Sequence, residues 1–228
     1  GGGFDNSQLN NTSLTSSHLN NNLSFTKKTF LSLATISFLA TCANASIVTI
    51  SDQVSNGTIE ISKAKDPKVF KEKQIKNSKS ISGGGCNNGT ICTINNSQTN
   101  GVTIGNNGTL IIEKEGSVIV SNNPSVDISS DSKNIEIINK GSISGPDRAG
   151  IRINGNNNQL TQINNSGEIN GGHGITFNGS NNTLDNLTNS GVIQGTNSGI
   201  NIQGSNNTIK SIINNGTITG GSNGISVS

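Results

Sequence analysis

Four times between residues 139 and 228 the chain spells Asn-x-Gly-x-Ile-x-Gly, a short polar loop and Gly-Ile-x-apolar, and after the first three it adds an asparagine run and a Leu/Ile-x-x-Leu/Ile pair. The first isoleucines stand at 143, 169, 193 and 218, steps of 26, 24 and 25 residues. A fixed period of this size marks a chain built from stacked, equivalent units, each too small to close a core by itself. Within a unit the apolar residues alternate with polar ones over three to five positions, so Ile151 and Ile153 face one way and Arg152 the other. No stretch is long enough or helically periodic enough to supply the helix of a leucine-rich or ankyrin repeat. Three short strands per unit and one turn per unit predict an all-β chain, a right-handed parallel β-helix of about 25 residues per rung.

Stacking at about 4.8 Å per rung turns sequence equivalence into vertical columns. Val118, Ile143, Ile169, Ile193 and Ile218 form one expected inward column, and Val126, Ile151, Ile175, Ile200 and Ile225 a second. The pairs Leu160/Ile163, Leu184/Leu187 and Ile209/Ile212 form the third strand. Two asparagine ladders are expected, one through Asn157, Asn181 and Asn206 and one through Asn139, Asn165, Asn189 and Asn214. Residues between inward positions, such as Ser144, Asn170, Gln194 and Thr219, should be exposed. At 12% charged and 3% aromatic the composition approaches that of disordered chains. The regular placement of β-branched residues decides against disorder here, because a solenoid needs only a thin aliphatic core.

Upstream the pattern changes. Residues 1–26 are polar and aperiodic and predict a disordered extension. Lys27-Lys28, the apolar run from Phe30 to Ala40 and Ala43-Asn44-Ala45 have the basic, apolar and small-residue order of a secretory signal peptide over 27–45, with cleavage between Ala45 and Ser46. The run is too short for a stable span. Cys42, in Leu39-Ala-Thr-Cys42, raises a lipoprotein alternative, which Thr41 and the adjoining Ala-x-Ala site disfavour. Residues 46–87 are expected to cap the solenoid. They hold the strand-like Ile47-Val-Thr-Ile50 and Thr58-Ile-Glu-Ile61, joined by the hairpin-grade turn Ser55-Asn56-Gly57.

Seven of the 15 basic residues follow, from Lys63 to Lys79. Such a cluster suits acidic glycans, nucleic acid or anionic lipid. Without interleaved aromatics for base stacking it reads more simply as a solvated loop, and no nucleic-acid partner is expected. Beyond the signal, Cys86 and Cys92 are the two remaining cysteines, a pairable count in an oxidising compartment. They are too few for a structural zinc site, and no metal or cofactor is expected. The solenoid is expected over 88–228. The start at Gly1 without methionine and the stop at Ser228 in mid-rung lead us to expect a piece of a longer protein.

For chemistry the sequence offers little. Its histidines are His18 and His173, and no nucleophilic triad or metallohydrolase motif can be assembled. The loop from Gly145 to Gly150 is one residue longer than its equivalents at 195–199 and 220–224. With His173 one rung along, it places Asp147, Arg148, Arg152 and His173 on one small surface. A Pro-Asp turn with solvated charges is the plainer account of that loop.

The polar extension, the signal from Lys27 to Ala45, the paired cysteines and the Asn/Gly/Ile coils together resemble an autotransporter. More narrowly, they resemble type V secretion passengers related to the vacuolating-cytotoxin family of Gram-negative bacteria. The resemblance covers most of residues 20–228. It implies passage through the periplasm, a C-terminal β-barrel translocator, and display at the cell surface or release. It further implies an adhesive or structural role on host cells or other bacteria, through a surface protein or glycan and with possible self-association. A vacuolating-type toxin is the alternative, and a polysaccharide-acting enzyme a third. The polar extension lacks the charged stretch usual in extended autotransporter signals.

Overall fold

The computed structural model describes residues 78–228 in full. Upstream it gives only the backbone of five short strands, Ser13–Leu14, Leu23–Thr26, Thr35–Leu39, Ile47–Asp52 and Thr58–Ser62. The cleavage site at Ala45 and Ser46, Cys42, and the lysine cluster apart from Lys79 lie outside the described residues. Ile47–Asp52 and Thr58–Ser62 are strands, as their alternation suggests, but they do not pair as a hairpin. They run parallel to Asn223–Val227 and to Thr208–Asn214, in different sheets.

From Ser78 onward the chain is a parallel β-solenoid without helix, every strand pairing in parallel with its equivalent one turn away. The expected register is the observed one. Val118 pairs with Ile143, Ile143 with Ile169, Ile169 with Ile193, and Ile193 with Ile218. All five side chains are fully buried. The column from Val126 to Ile225 and the Leu/Ile pairs of the third strand are buried in the same way, and Phe177 is the one Phe, Tyr or Trp within residues 78–228.

Packing also explains the repeated Gly-Ile of the second strand. A Cβ placed on Gly174 would lie 2.8 Å from Cγ2 of Ile193 and 2.6 Å from the Gly199 carbonyl oxygen. The branched methyl of the inward isoleucine therefore occupies the space that a side chain at this glycine would need.

Along the strands of the solenoid the structure also differs from expectation. The first two strands of a regular turn are continuous, as in Ser142–Asn154 and Glu168–Asn178, with a register shift at the corner between Gly145 and Ala149. Backbone pairing carries on around that corner, so three faces are built from two elements. The solenoid also begins earlier than Asn88, because Ser78–Ser80 and Gly84–Cys86 already pair with the next turn. Lastly, of the intervening residues only Gln194 is exposed; Ser144, Asn170 and Thr219 are half-buried, because side chains on neighbouring turns stand too close to leave them free.

The two asparagine ladders work differently. In the first, Asn139 Nδ2 donates to Asn165 Oδ1 at 2.8 Å, Asn165 to Asn189 at 2.8 Å, and Asn189 to Asn214 at 2.9 Å. This buried amide column continues a column that lower down is aliphatic, since Asn139 stands in register with Ile112. The second ladder is one residue further along than the sequence suggests. Asn157, Asn181 and Asn206 are exposed and adopt φ of 61°, 61° and 58°. Asparagine tolerates this left-handed conformation better than most residues. The buried members are Asn158, Asn182 and Asn207, whose side chains bond to backbone. Asn182 Oδ1 accepts from the Asn158 N–H at 2.9 Å, and Asn182 Nδ2 donates to the Gly155 carbonyl at 2.9 Å.

Candidate functional site

Cys86 and Cys92 form a disulfide, as their spacing suggests, with Cα atoms 6.1 Å apart. Cys86 belongs to the second face and Cys92 to the third, so the bond ties two faces across a corner of the first turn. Both are fully buried, and the pair is a structural clamp rather than a reactive site.

The corner after the first strand varies in length from turn to turn. Three residues lie between the registered positions Gly145 and Ala149, one between Gly171 and His173, and two between Gly195 and Ser198. The one-residue corner, Gly172, is thus recessed between two longer loops. A Cβ there would meet the Arg148 carbonyl oxygen at 2.7 Å, so the close approach depends on glycine. The recess opens into a groove of about 290 Å³ along the second face.

All four residues singled out from the sequence, Asp147, Arg148, Arg152 and His173, line this groove. Their states differ. Arg152 is committed to Asp127 one turn below, through Nε at 2.9 Å and a second guanidinium nitrogen at 2.8 Å. That two-pronged hydrogen bond lifts the guanidinium pKa further above its ordinary value, with partial burial opposing. Asp147 and Arg148 point to solvent and have no ion-pair partner among the described residues. His173 is half-buried, and its pKa is lowered by desolvation, partly offset by a backbone hydrogen bond at Ser198. Its Nδ1 is buried without a partner.

Sequence reasoning missed Asp127 and the amide residues of the groove: Asn178, Asn197, Asn201 and Gln203. Asp127 was open to detection, since aligning Val126 with Ile151 also puts Asp127 beneath Arg152. The outward column then runs Asp127, Arg152, Thr176, Asn201, with Asn201 Nδ2 donating to Thr176 Oγ1 at 3.2 Å. Chemically the groove presents matched charges, a neutral imidazole and side-chain amides. Among the described residues no group of three or more His, Cys, Asp or Glu is placed to hold a metal ion. Compared with protein families, with curated proteins and with solved structures, the chain shows no significant match to any of them.

Proposed function

We propose that the chain is the N-terminal part of an exported, surface-displayed or secreted passenger whose role is structural and adhesive. The supporting observation is the join between a signal-like segment at 27–45 and an unbroken stack of turns bearing a polar, hydrogen-bonded outer surface. Such a stack projects a long ligand-accessible face at little core volume per residue. On this reading export passes through the periplasm, the disulfide forms there, and a C-terminal β-barrel carries the passenger outward.

Attachment of the full-length passenger to host cells, and between bacterial cells, tests the proposal. Vacuolation without attachment would replace it with a toxin reading. Turnover of pectin-like or host glycans, lost on Asp147→Ala or Arg148→Ala, would replace it with an enzymatic one. N-terminal sequencing of exported material should begin at Ser46; an acylated Cys42 would overturn both the site and the route.

A further inference from the structure

We propose that the groove beside Gly172 binds a neutral, hydroxyl-rich saccharide chain lying along the solenoid axis. The biological sense of this rests on the adhesive reading, but its chemistry rests on the groove alone. The shape comes from the three-, one- and two-residue corners, which leave a trough walled by Arg148 on one side and Asn197 on the other. The trough crosses the turns of Arg152, Thr176 and Asn201, about 10 Å of axial length at one turn per 4.8 Å.

Charge argues for a neutral occupant. The two arginines of the groove are balanced by Asp147 and by Asp127, which already holds Arg152 in a bidentate pair. An anionic polymer needs an excess of Lys and Arg over acidic groups, whereas Arg148 and Arg152 here are matched in number by Asp147 and Asp127. A protein partner would want aromatic or large aliphatic anchors in a desolvated pocket, and the lining offers only Pro124 and Ala149.

What the groove does offer is hydrogen bonding of both senses. Asn178 and Gln203 are exposed and stand in register one turn apart, each with a carbonyl acceptor and an amide donor. A hydroxyl also donates and accepts, so the two sets match without any change of protonation. Asn201 is held by its bond to Thr176 and enters the site already oriented. His173 lines the same groove half-buried, its pKa lowered by desolvation, so it adds no excess positive charge at neutral pH. With no aromatic to stack on a sugar ring, a single groove should bind weakly, with Kd on the order of 1 mM. Useful attachment would then come from many passengers acting together on one cell.

The test uses the full chain against printed linear oligosaccharides of glucose, galactose and mannose, with a heparin hexasaccharide as the acidic counterpart. Binding to one of the neutral set is expected, unchanged from low to high salt. Asn178→Ala combined with Gln203→Ala should weaken it by about 10- to 30-fold, as expected for two lost hydrogen bonds of ordinary strength. Both positions are exposed, so the double variant keeps the fold. Gly172→Ala should also abolish binding by pushing against the Arg148 carbonyl. Lys210→Ala, on the opposite sheet, should leave it unchanged.

Binding confined to the heparin hexasaccharide, no binding to any of the neutral set, or neutral binding indifferent to the double variant would overturn the proposal. Cell attachment measured in parallel separates the two readings. Attachment that persists while neutral saccharide binding is absent, or is indifferent to the double variant, sinks the saccharide groove and leaves adhesion standing. Neutral saccharide binding through the groove without any attachment sinks adhesion and leaves the groove.

Discussion

Replacing Ile193 tests the solenoid at its centre. The side chain is fully buried between Ile169 and Ile218, and its Cγ2 packs against the bare backbone of Gly174. Ile193→Ala removes three carbons, a transfer loss of about 2.4 kcal/mol at roughly 0.8 kcal/mol each. The two vertical neighbours are pinned by backbone pairing and cannot collapse into the space. A cavity contribution therefore adds to this, giving a total of about 3–5 kcal/mol. Ile193→Val keeps Cγ2 and should cost only about 0.5–1.5 kcal/mol. Ile193→Asp should exceed the alanine, because it buries a charge with no partner. Gln194→Ala, one residue along and exposed, should stay within about 0.5 kcal/mol. Urea unfolding followed by far-UV circular dichroism gives the ranking. Hydrogen exchange should show the damage concentrated in the turns of Ile169 and Ile218, since each turn touches only its neighbours. If aspartate is tolerated equally at 193 and 194, the register is wrong and the columns do not exist.

The two uses of asparagine separate by mutation: Asn181→Gly should be nearly neutral in urea unfolding, because glycine accepts φ near 61°. Asn182→Gly should cost about 2–4 kcal/mol, since it strips partners from the Asn158 N–H and the Gly155 carbonyl. Reducing the Cys86–Cys92 bond should cost about 2 kcal/mol for so short a loop and raise exchange only in the first turns, a pattern readable by mass spectrometry. His173 should titrate below the ordinary imidazole range by NMR, the nearby charges being Asp147, Arg148 and the Arg152–Asp127 pair. Both states are neutral at that ring above about pH 6.5. As pH falls below this the unfolded chain takes the proton first, so stability drops toward the lowered folded pKa and then levels off. His173→Gln should remove that part of the pH dependence.

The aliphatic columns were legible because alternation and period are both carried by side-chain identity, and Ile143, Ile169, Ile193 and Ile218 satisfy both at once. The asparagine ladder was harder. Asn156, Asn157 and Asn158 are chemically identical, and only the left-handed backbone at Asn157 decides which of them turns inward. The continuous strands Ser142–Asn154 and Glu168–Asn178 depend on backbone pairing through the corner, on which side-chain pattern is silent. Half-burial of Ser144, Asn170 and Thr219 is set by residues a whole turn away. The cluster of Asp147, Arg148, Arg152 and His173 was read from register alone. The surrounding amides were missed because asparagine is so common in this chain that no single one stands out.

The backbone hydrogen bonds of this solenoid point along its axis, turn to turn, rather than across it. A pull between the two ends would therefore load one boundary at a time, and the chain would peel off in whole turns while the rest stayed folded. Each freed turn of about 25 residues releases at most roughly 90 Å of extended chain, at 3.3–3.6 Å per residue. A tether made this way lengthens in steps under load and dissipates work at each one. At the tip, whatever is held feels a force capped by the weakest remaining turn.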